Sequence, residues 1–170
     1  MKETVSNFHG LYQRYAPDVY RFAFWLCGNP DDAKDIVSET FIRVWTAKAP
    51  VKTETVKAYL FTIARNLFLQ QRRKSRRKTM LDENSVDESP NAEYVAEMQS
   101  DLRQTLQNLK ILPEIDRAAL VLRAFDALSY EEIARILQLS VSAVKVKIHR
   151  ARLKLLQIAK KVEEINDGNY

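Results

Sequence analysis

Apolar side chains recur every three or four residues along most of the chain, the spacing that places them on one face of an α-helix. The pattern first runs from Phe8 to Leu26 and predicts a helical N-terminal segment, in which Pro17 marks a kink or the start of a second helix. The segment 28–30, Gly-Asn-Pro, ends it. Asp31 or Asp32 is expected to accept hydrogen bonds from the free amides of the next helix.

That next helix is predicted to run to about Lys48. Its inner face carries Ala33, Ile36, Val37, Thr40, Phe41 and Val44. A loop at 49–54 follows, and then another helix with a buried face. Its apolar positions are Val56, Leu60, Ile63, Ala64 and Leu67.

Residues 79–92 hold mainly Asp, Glu, Ser, Asn and Pro, with too few large apolar groups to offset the entropy of ordering them. We interpret them as an acidic, flexible linker. Helical patterns resume near Ala92 and break before Pro113. With only three Gly and five Pro among 170 residues, the chain is predicted to be all-α, with two small helical domains at 1–78 and 93–170.

The C-terminal domain is predicted to contain a helix-turn-helix, with helices at Tyr130–Leu137 and Val141–Ala159. Ser129 and Glu132 have the spacing of a capping box at the start of the first helix. Ser140 is placed to cap the second. A helical hairpin that only packs, with a solvated basic face, is the competing interpretation of this region.

The second helix of the motif has a polar, basic side suited to the major groove of DNA. The residues expected there are Ser142, Lys145, Val146, His149, Arg150 and Arg152. Lys145 and His149 lie one turn apart and are placed to read neighbouring base pairs. Gln138 stands in the turn where many such motifs have Gly, so we expect a left-handed backbone there at some energetic cost.

Charge is unevenly distributed along the chain, although the net charge is only +5. Every charged residue is basic from Arg65 to Lys78, acidic from Asp82 to Asp101, and basic again from Lys145 to Lys161. Two basic surfaces that flank an acidic segment indicate polyanion binding at two places, because neutralised phosphates release counterions. Solvated helix faces would also carry such charge runs.

Several classes of protein have no support in the sequence. The single cysteine, Cys27, excludes an internal disulfide, and His9 and His149 are far apart, so no metal site and no cofactor are expected. No signal peptide or membrane-spanning run is found, and a cytoplasmic location is expected. No nucleophile–base pair or glycine-rich phosphate loop is present, so an enzyme is not expected.

The helix after residue 30 has an unusual outer face. Asp35, Ser38, Glu39 and Ile42 project away from its apolar side, which places a branched apolar residue among acids. Such a face suits a basic helical partner. Scattered surface apolar residues are ordinary in proteins, so this pattern alone leaves a plain solvated face open.

The following helix places aromatic rings and cations along one side, at spacings of three or four. These residues are Lys57, Phe61, Arg65, Phe68 and Arg72. Rings that stack on bases beside cations that bind phosphates are typical of single-stranded DNA binding. The alternative is that both rings pack under the N-terminal helices and only the cations face outward.

Five segments together resemble the extracytoplasmic-function (ECF) group of the sigma-70 family of RNA polymerase sigma factors. They are Asp32–Trp45, Ala58–Asn66, Leu112–Pro113, Ser129–Ala134 and Val144–Arg152. The resemblance spans nearly the whole chain and keeps the family's order. It therefore carries more weight than a helix-turn-helix alone.

The resemblance implies a role for each part of the chain. The Asp35–Ile42 face would bind a coiled coil of the polymerase's largest subunit. The loop 46–54 and the helix after it would capture an unstacked base of the −10 promoter element and hold the melted strand. The residues implied there are Lys57, Tyr59, Phe61, Arg65, Asn66 and Arg72.

The C-terminal helix would read the −35 element, and the linker would thread toward the active-site and RNA-exit channels. The polymerase flap is a further expected contact of the chain. An anti-sigma factor is a further expected partner. The chain departs from the family pattern at Ser38, where Gln is common, and at Val146, where a small polar residue is frequent. Val146 favours contact with a thymine methyl group over a hydrogen bond.

The sequence thus predicts a sigma factor that directs core RNA polymerase to promoters and helps to open the DNA. Two alternatives remain open. An autonomous helix-turn-helix regulator would bind palindromic operators as a dimer and need no polymerase. A protein that coats RNA or DNA through its basic blocks would bind without a preferred sequence.

Overall fold

The computed structural model describes residues 3–47, 56–81 and 99–167, and it divides into two compact units, 1–97 and 98–170. The regular structure in the described ranges is entirely helical, which confirms the all-α prediction. The first unit contains α1 (Glu3–Cys27), α2 (Pro30–Thr46) and α3 (Val56–Leu81). The second contains α4 (Ser100–Lys110), α5 (Glu114–Ala124), α6 (Tyr130–Leu137) and α7 (Val141–Asp167).

Helix α1 is continuous through Pro17, so the prediction that a second helix starts there is wrong. Proline removes one backbone hydrogen bond and crowds the preceding turn. Both halves of the helix are nevertheless packed. Before the proline, the Tyr12 ring lies 4.8 Å from the Phe41 ring of α2, and after it Phe22 is fully buried. Tertiary packing on both sides therefore overrides the local preference to break.

Asn29 caps the start of α2, in place of the expected Asp31 or Asp32. The Oδ1 of Asn29 accepts hydrogen bonds from the backbone N–H groups of Asp31 at 2.8 Å and Asp32 at 3.2 Å. Pro30 explains the difference, since its fixed φ and missing N–H suit the first helical position and leave the cap to the residue before it. The two aspartates lie in the first turn, where the helix dipole favours negative charge.

The core of the first unit forms where α1, α2 and α3 each pack against the other two. Its buried side chains include Val19, Phe22, Leu26, Ala33, Ile36, Val37, Phe41, Leu60, Ala64 and Leu67. Thr40 is buried with them and satisfies its hydroxyl by donating to the carbonyl oxygen of Ile36 at 2.6 Å. Three residues of the predicted inner faces are less buried than the rest. Val44 and Ile63 are half-buried, and Val56, the first residue of α3, is exposed.

Helix α3 continues to Leu81, so residues 79–81 are helical although the sequence assigned them to the linker. The run of Lys, Arg, Met and Leu before the acidic segment consists of good helix formers, and nothing in it stops the helix at Lys78. The rest of the predicted linker, 82–92, lies outside the described residues.

In the second unit, α5 and α6 pack against α7, and α4 contacts α5 and α7. The predicted capping box is confirmed: the Ser129 Oγ accepts from the Glu132 N–H at 3.1 Å, and Glu132 Oε2 accepts from the Ser129 N–H at 2.9 Å. The Ser140 Oγ accepts from the N–H of Ala143 at 3.1 Å, which confirms the second cap. Helix α7 runs on to Asp167, past the predicted end at 159.

The turn between α6 and α7 has the left-handed residue that the sequence predicted. Gln138 has φ 55° and ψ 47°, and the N–H of Leu139 donates to the carbonyl oxygen of Ala134 at 2.9 Å. This geometry closes α6 and directs the chain into α7. Because Gln138 carries a Cβ, the turn costs conformational energy that glycine would avoid.

We therefore expect Gln138→Gly to stabilise the second unit by about 1 kcal/mol, measured as the free energy of unfolding in denaturant. The matched control is Gln157→Gly, at an exposed position inside α7, where glycine should destabilise by about 0.5–1 kcal/mol. Destabilisation of similar size by both substitutions would contradict the proposed cost of the turn.

Candidate functional site

The outer face of α2, formed by Asp35, Ser38, Glu39 and Ile42, lies on the side of the helix opposite the core. Asp35 and Ser38 are exposed, Glu39 is half-buried, and Ile42 is 55% exposed. Arg43 donates from Nε to Glu39 Oε1 at 3.0 Å and so offsets part of the acidic charge. The structure brings all four predicted residues onto one accessible surface.

This surface has an aromatic neighbour that the sequence analysis missed. Trp45 is exposed and lies two helical turns after Ser38, so it extends the same side of α2. Its ring packs edge-on against the Phe8 ring of α1, with centroids 4.8 Å apart. The sequence did contain a signal for it, since a large apolar residue seven positions after Ser38 falls on the same side of the helix. The α2 outer face is therefore flanked by an aromatic group with free surface.

The two rings proposed to stack on bases are packed in the core instead. Phe61 is 0% exposed and Phe68 is 3% exposed. The Phe61 ring lies 5.0 Å from the Phe22 ring of α1, centroid to centroid. Neither ring has a face available to a base, so the stacking interpretation is wrong at both positions. The bundle needs these rings because α1 and α2 pack against this side of α3.

Lys57 also faces the bundle. Its Nζ lies 3.0 Å from Oδ2 of Asp18 in α1, while Oδ1 of the same carboxylate accepts from Arg21 at 2.9 Å. The Lys57 Nζ further lies 5.5 Å from the Phe61 ring centroid. Lys57 thus ties the start of α3 to α1 through a carboxylate that it shares with Arg21.

The other predicted residues of α3 divide between two sides of the helix. Tyr59 and Asn66 are half-buried and share one side, whereas Arg65 and Arg72 lie on another. Arg65 donates from Nη1 to the Asn66 Oδ1 at 3.1 Å. Burial lowers the pKa of the Arg65 guanidinium, and the positive charge of Arg73 lowers it further.

Beyond residue 71 the whole circumference of α3 is exposed and carries a dense run of cations. We define the α3 cationic end as Arg72, Arg73, Lys74, Arg76, Arg77 and Lys78. Six cations within two turns create a strongly positive potential around this part of the helix. Such a potential attracts polyanions.

Helix α7 presents all six residues that the sequence assigned to DNA contact. Ser142, Lys145, Val146, His149, Arg150 and Arg152 are exposed. The opposite side of the helix is buried through Val144, Ile148 and Ala151. The capped start of α7 and its polar side are therefore held out to solvent in the manner of a major-groove helix.

Tyr130, the first residue of α6, was not predicted from the sequence. Its ring contacts two cations, with the Arg123 Cζ 4.7 Å and the Lys145 Nζ 5.4 Å from the centroid. Arg123 also donates from Nη1 to the Leu128 carbonyl oxygen at 2.8 Å. These contacts join three helices, and no spacing in the sequence signals them. They position the ammonium of Lys145 beside the start of α6.

Across the described residues, the structure brings together no group of three or more His, Cys, Asp or Glu side chains that could hold a metal ion. No described helix is long and apolar enough to cross a membrane. The thiol of Cys27 donates to the carbonyl oxygen of Asn29 at 3.2 Å.

Comparison with known families agrees with this geometry. Residues 11–78 match the family model of sigma-70 region 2, and residues 102–155 match that of sigma-70 region 4. The first match covers most of the α1–α3 bundle. The second covers α4 to α6 and the first half of α7.

Curated relatives are similar along most of the chain. The ECF RNA polymerase sigma factor SigE of Mycolicibacterium smegmatis is 37% identical over 159 residues, which cover 89% of this chain and 61% of that relative. The RNA polymerase sigma factor YlaC of Bacillus subtilis is 30% identical over 157 residues, which cover 88% of this chain and 90% of YlaC.

The fold also resembles that of solved sigma factors. A chain in the co-crystal structure of the sigma factor RpoE with the anti-sigma factor NepR from Bartonella quintana superposes with a TM-score of 0.78 at 28% identity. That match covers 92% of this chain and 98% of the other. The family models, the relatives and the structural match agree: the chain belongs to the ECF group of the sigma-70 family, the factors that direct RNA polymerase to promoters.

Proposed function

We propose that the α2 outer face binds core RNA polymerase, that α3 holds the melted strand of the −10 element, and that α7 reads the −35 element. One observation carries this assignment: a single chain exposes both an acidic, apolar-centred helix face and a capped, cationic recognition helix. A DNA-binding protein that acted alone would need only the second of these surfaces.

The α2 outer face suits a helical partner with basic residues. Ile42 supplies exposed apolar area, and Glu39 and Asp35 supply negative charge one and two turns before it. Interfaces are organised in this way, with an apolar centre excluding water and charged groups around it setting specificity. A basic helical coiled coil of the polymerase's largest subunit is the partner that we propose.

Ile42→Glu should weaken binding to core polymerase by about tenfold or more, because it places a charge at the apolar centre of the interface. Pull-down and fluorescence titration with purified core enzyme measure this. Ile111→Glu is a matched control, since Ile111 is also 55% exposed and lies in the second unit. Equal binding by the wild type and the Ile42 variant would remove the α2 outer face from the proposal.

The proposed single-strand surface rests on cations rather than on buried rings. The α3 cationic end supplies phosphate contacts, and Arg65 stands near it. Tyr59 and Asn66, on the other accessible side of α3, provide one ring edge and one amide for contact with bases. Phe61 and Lys57 are not part of this surface, because one is buried and the other is paired with Asp18. The loop 48–55 lies outside the described residues.

Recognition of the −35 element is proposed for the exposed side of α7. His149 and Val146 lie on its outermost line and suit base edges, with Val146 placed for a thymine methyl group. Arg150 and Arg152 flank them and suit phosphates. Lys145, which packs toward Tyr130, is better placed for the DNA backbone than for a neighbouring base.

His149→Ala should change the base preference at one −35 position by about fivefold or more, because a base-edge contact is lost. Selection from a randomised −35 library with reconstituted holoenzyme measures the preference. His9→Ala is the matched control, since His9 is exposed in the first unit. An unchanged preference profile for His149→Ala would overturn this assignment.

A regulator is proposed from the solved relatives. RpoE of Bartonella quintana is solved with the anti-sigma factor NepR, and CnrH, which matches with a TM-score of 0.69 at 26% identity, is solved with the cytosolic domain of CnrY. We extend this to the present chain as binding by an anti-sigma factor. The proposed place of action is the cytoplasm, where the polymerase is found.

The alternative of an autonomous operator-binding regulator is separated by footprinting. The purified chain alone should give no sequence-specific protection on duplex promoter DNA, and core polymerase should produce protection at the −35 and −10 elements. A tight, specific footprint by the chain alone, unchanged by core polymerase, would favour the autonomous regulator.

A further inference from the structure

Helix α7 is longer than promoter recognition requires. The match to sigma-70 region 4 ends at residue 155, whereas the helix continues to Asp167. We call the segment Leu155–Asp167 the α7 extension. The residues assigned to −35 contact all precede it, so this length of helix needs a separate explanation.

A single apolar stripe runs along α7 and into the extension. Its members are Val144, Ile148, Ala151, Leu155, Ile158, Val162 and Ile165. Successive members are separated alternately by four and three residues. Coiled-coil helices use this repeat to face a partner helix. The first half of the stripe and the extension are therefore one continuous face of one helix.

The first half of this stripe already has a partner inside the protein. Val144, Ile148 and Ala151 are buried where α5 and α6 pack on α7. Beside them, the Lys147 Nζ lies 3.0 Å from Oδ1 of Asp116, a nearly fully buried carboxylate of α5. In this half of α7 the apolar stripe is therefore buried, and the lysine beside it is paired with a carboxylate of the helix that covers the stripe.

The α7 extension continues the stripe, with Leu155 and Ile158 half-buried and its far end open. Val162 is 47% exposed and Ile165 is 68% exposed. Lys154 and Lys161 follow Lys147 at intervals of seven residues, so all three lysines flank the stripe on the same edge. Lys154, just before the extension, and Lys161 are both exposed. The acids of the extension, Glu163, Glu164 and Asp167, lie on other sides of the helix.

We propose that the α7 extension docks an amphipathic helix of another protein that carries acidic residues beside its apolar stripe. The contact of α5 with α7 is the template: the partner would bury Val162 and Ile165 and place carboxylates on Lys154 and Lys161. This surface is separate from the α2 outer face, from the α3 cationic end and from the α7 residues proposed for the −35 element.

A second copy of this chain fits the extension less well. The edge opposite the lysines carries Arg152, Ala159 and Asn166. A parallel pair of α7 extensions would place Lys154 and Lys161 against uncharged residues, and an antiparallel pair would bring lysines together. Neither arrangement places an acid directly beside the stripe against these lysines, because Glu163 lies one position farther from it. A partner with acids at the flanking positions would pair with both lysines.

The test uses the full chain and a designed probe. The probe is a fluorescein-labelled helical peptide of about 18 residues, with Leu at the stripe positions and Glu beside them. A second peptide has Gln in place of Glu. Fluorescence anisotropy should report saturable binding of the Glu peptide. The affinity for the Gln peptide should be lower by about fivefold or more.

Two matched pairs of variants locate the site. Val162→Ser should weaken binding of the Glu peptide about tenfold or more, whereas Leu153→Ser, at 46% exposure on another side of α7, should leave it unchanged. Lys161→Glu should weaken it about fivefold, whereas Lys160→Glu, on the side away from the stripe, should have little effect. Circular dichroism checks that all four variants keep their helices.

Three outcomes would overturn the proposal. They are the absence of saturable binding to the wild-type chain, equal effects within either pair of variants, and equal binding of the two peptides. Sedimentation equilibrium provides a further check, because the proposal expects a monomer. A dimer that Val162→Ser dissociates would assign the stripe to a second copy instead.

Discussion

Both units depend on one constraint: the helices that carry the proposed binding surfaces, α2 and α7, must each bury one face in the core. In α2, Ile36 and Phe41 enter the core, and this leaves Asp35 and Ile42 on the outside. In α7, burial of Ile148 on the opposite side holds the polar residues near the start of the helix out toward solvent. The core therefore does more than stabilise the fold, since it decides which residues of a mixed helix reach a partner.

The periodicity of the sequence was sufficient for helices with one plainly apolar face. Helix α2 and the first half of α7 have that form, and the predicted outward residues are exposed in both except Glu39, which is half-buried. The Ser129–Glu132 capping box and the left-handed Gln138 were also predictable, because they depend on chemistry within a few residues. Local rules succeed where the deciding contacts are local.

Helix α3 shows why periodicity could not settle the rest. Aromatic residues and cations share one of its sides, and spacing alone does not indicate whether α1 covers that side. The structure places Phe61 in the core and pairs Lys57 with Asp18, which is distant in sequence. The contacts of Tyr130 with Arg123 and Lys145 are hidden for the same reason, since they join three separate helices.

Run-off transcription with purified core polymerase tests the central claim most directly. The account predicts that core polymerase alone gives no specific transcript from a promoter library, and that adding this chain produces transcripts from a defined subset sharing −35 and −10 elements. Transcription that is unchanged by the chain, across a library that contains the promoters of its own genome, would contradict the assignment as a sigma factor.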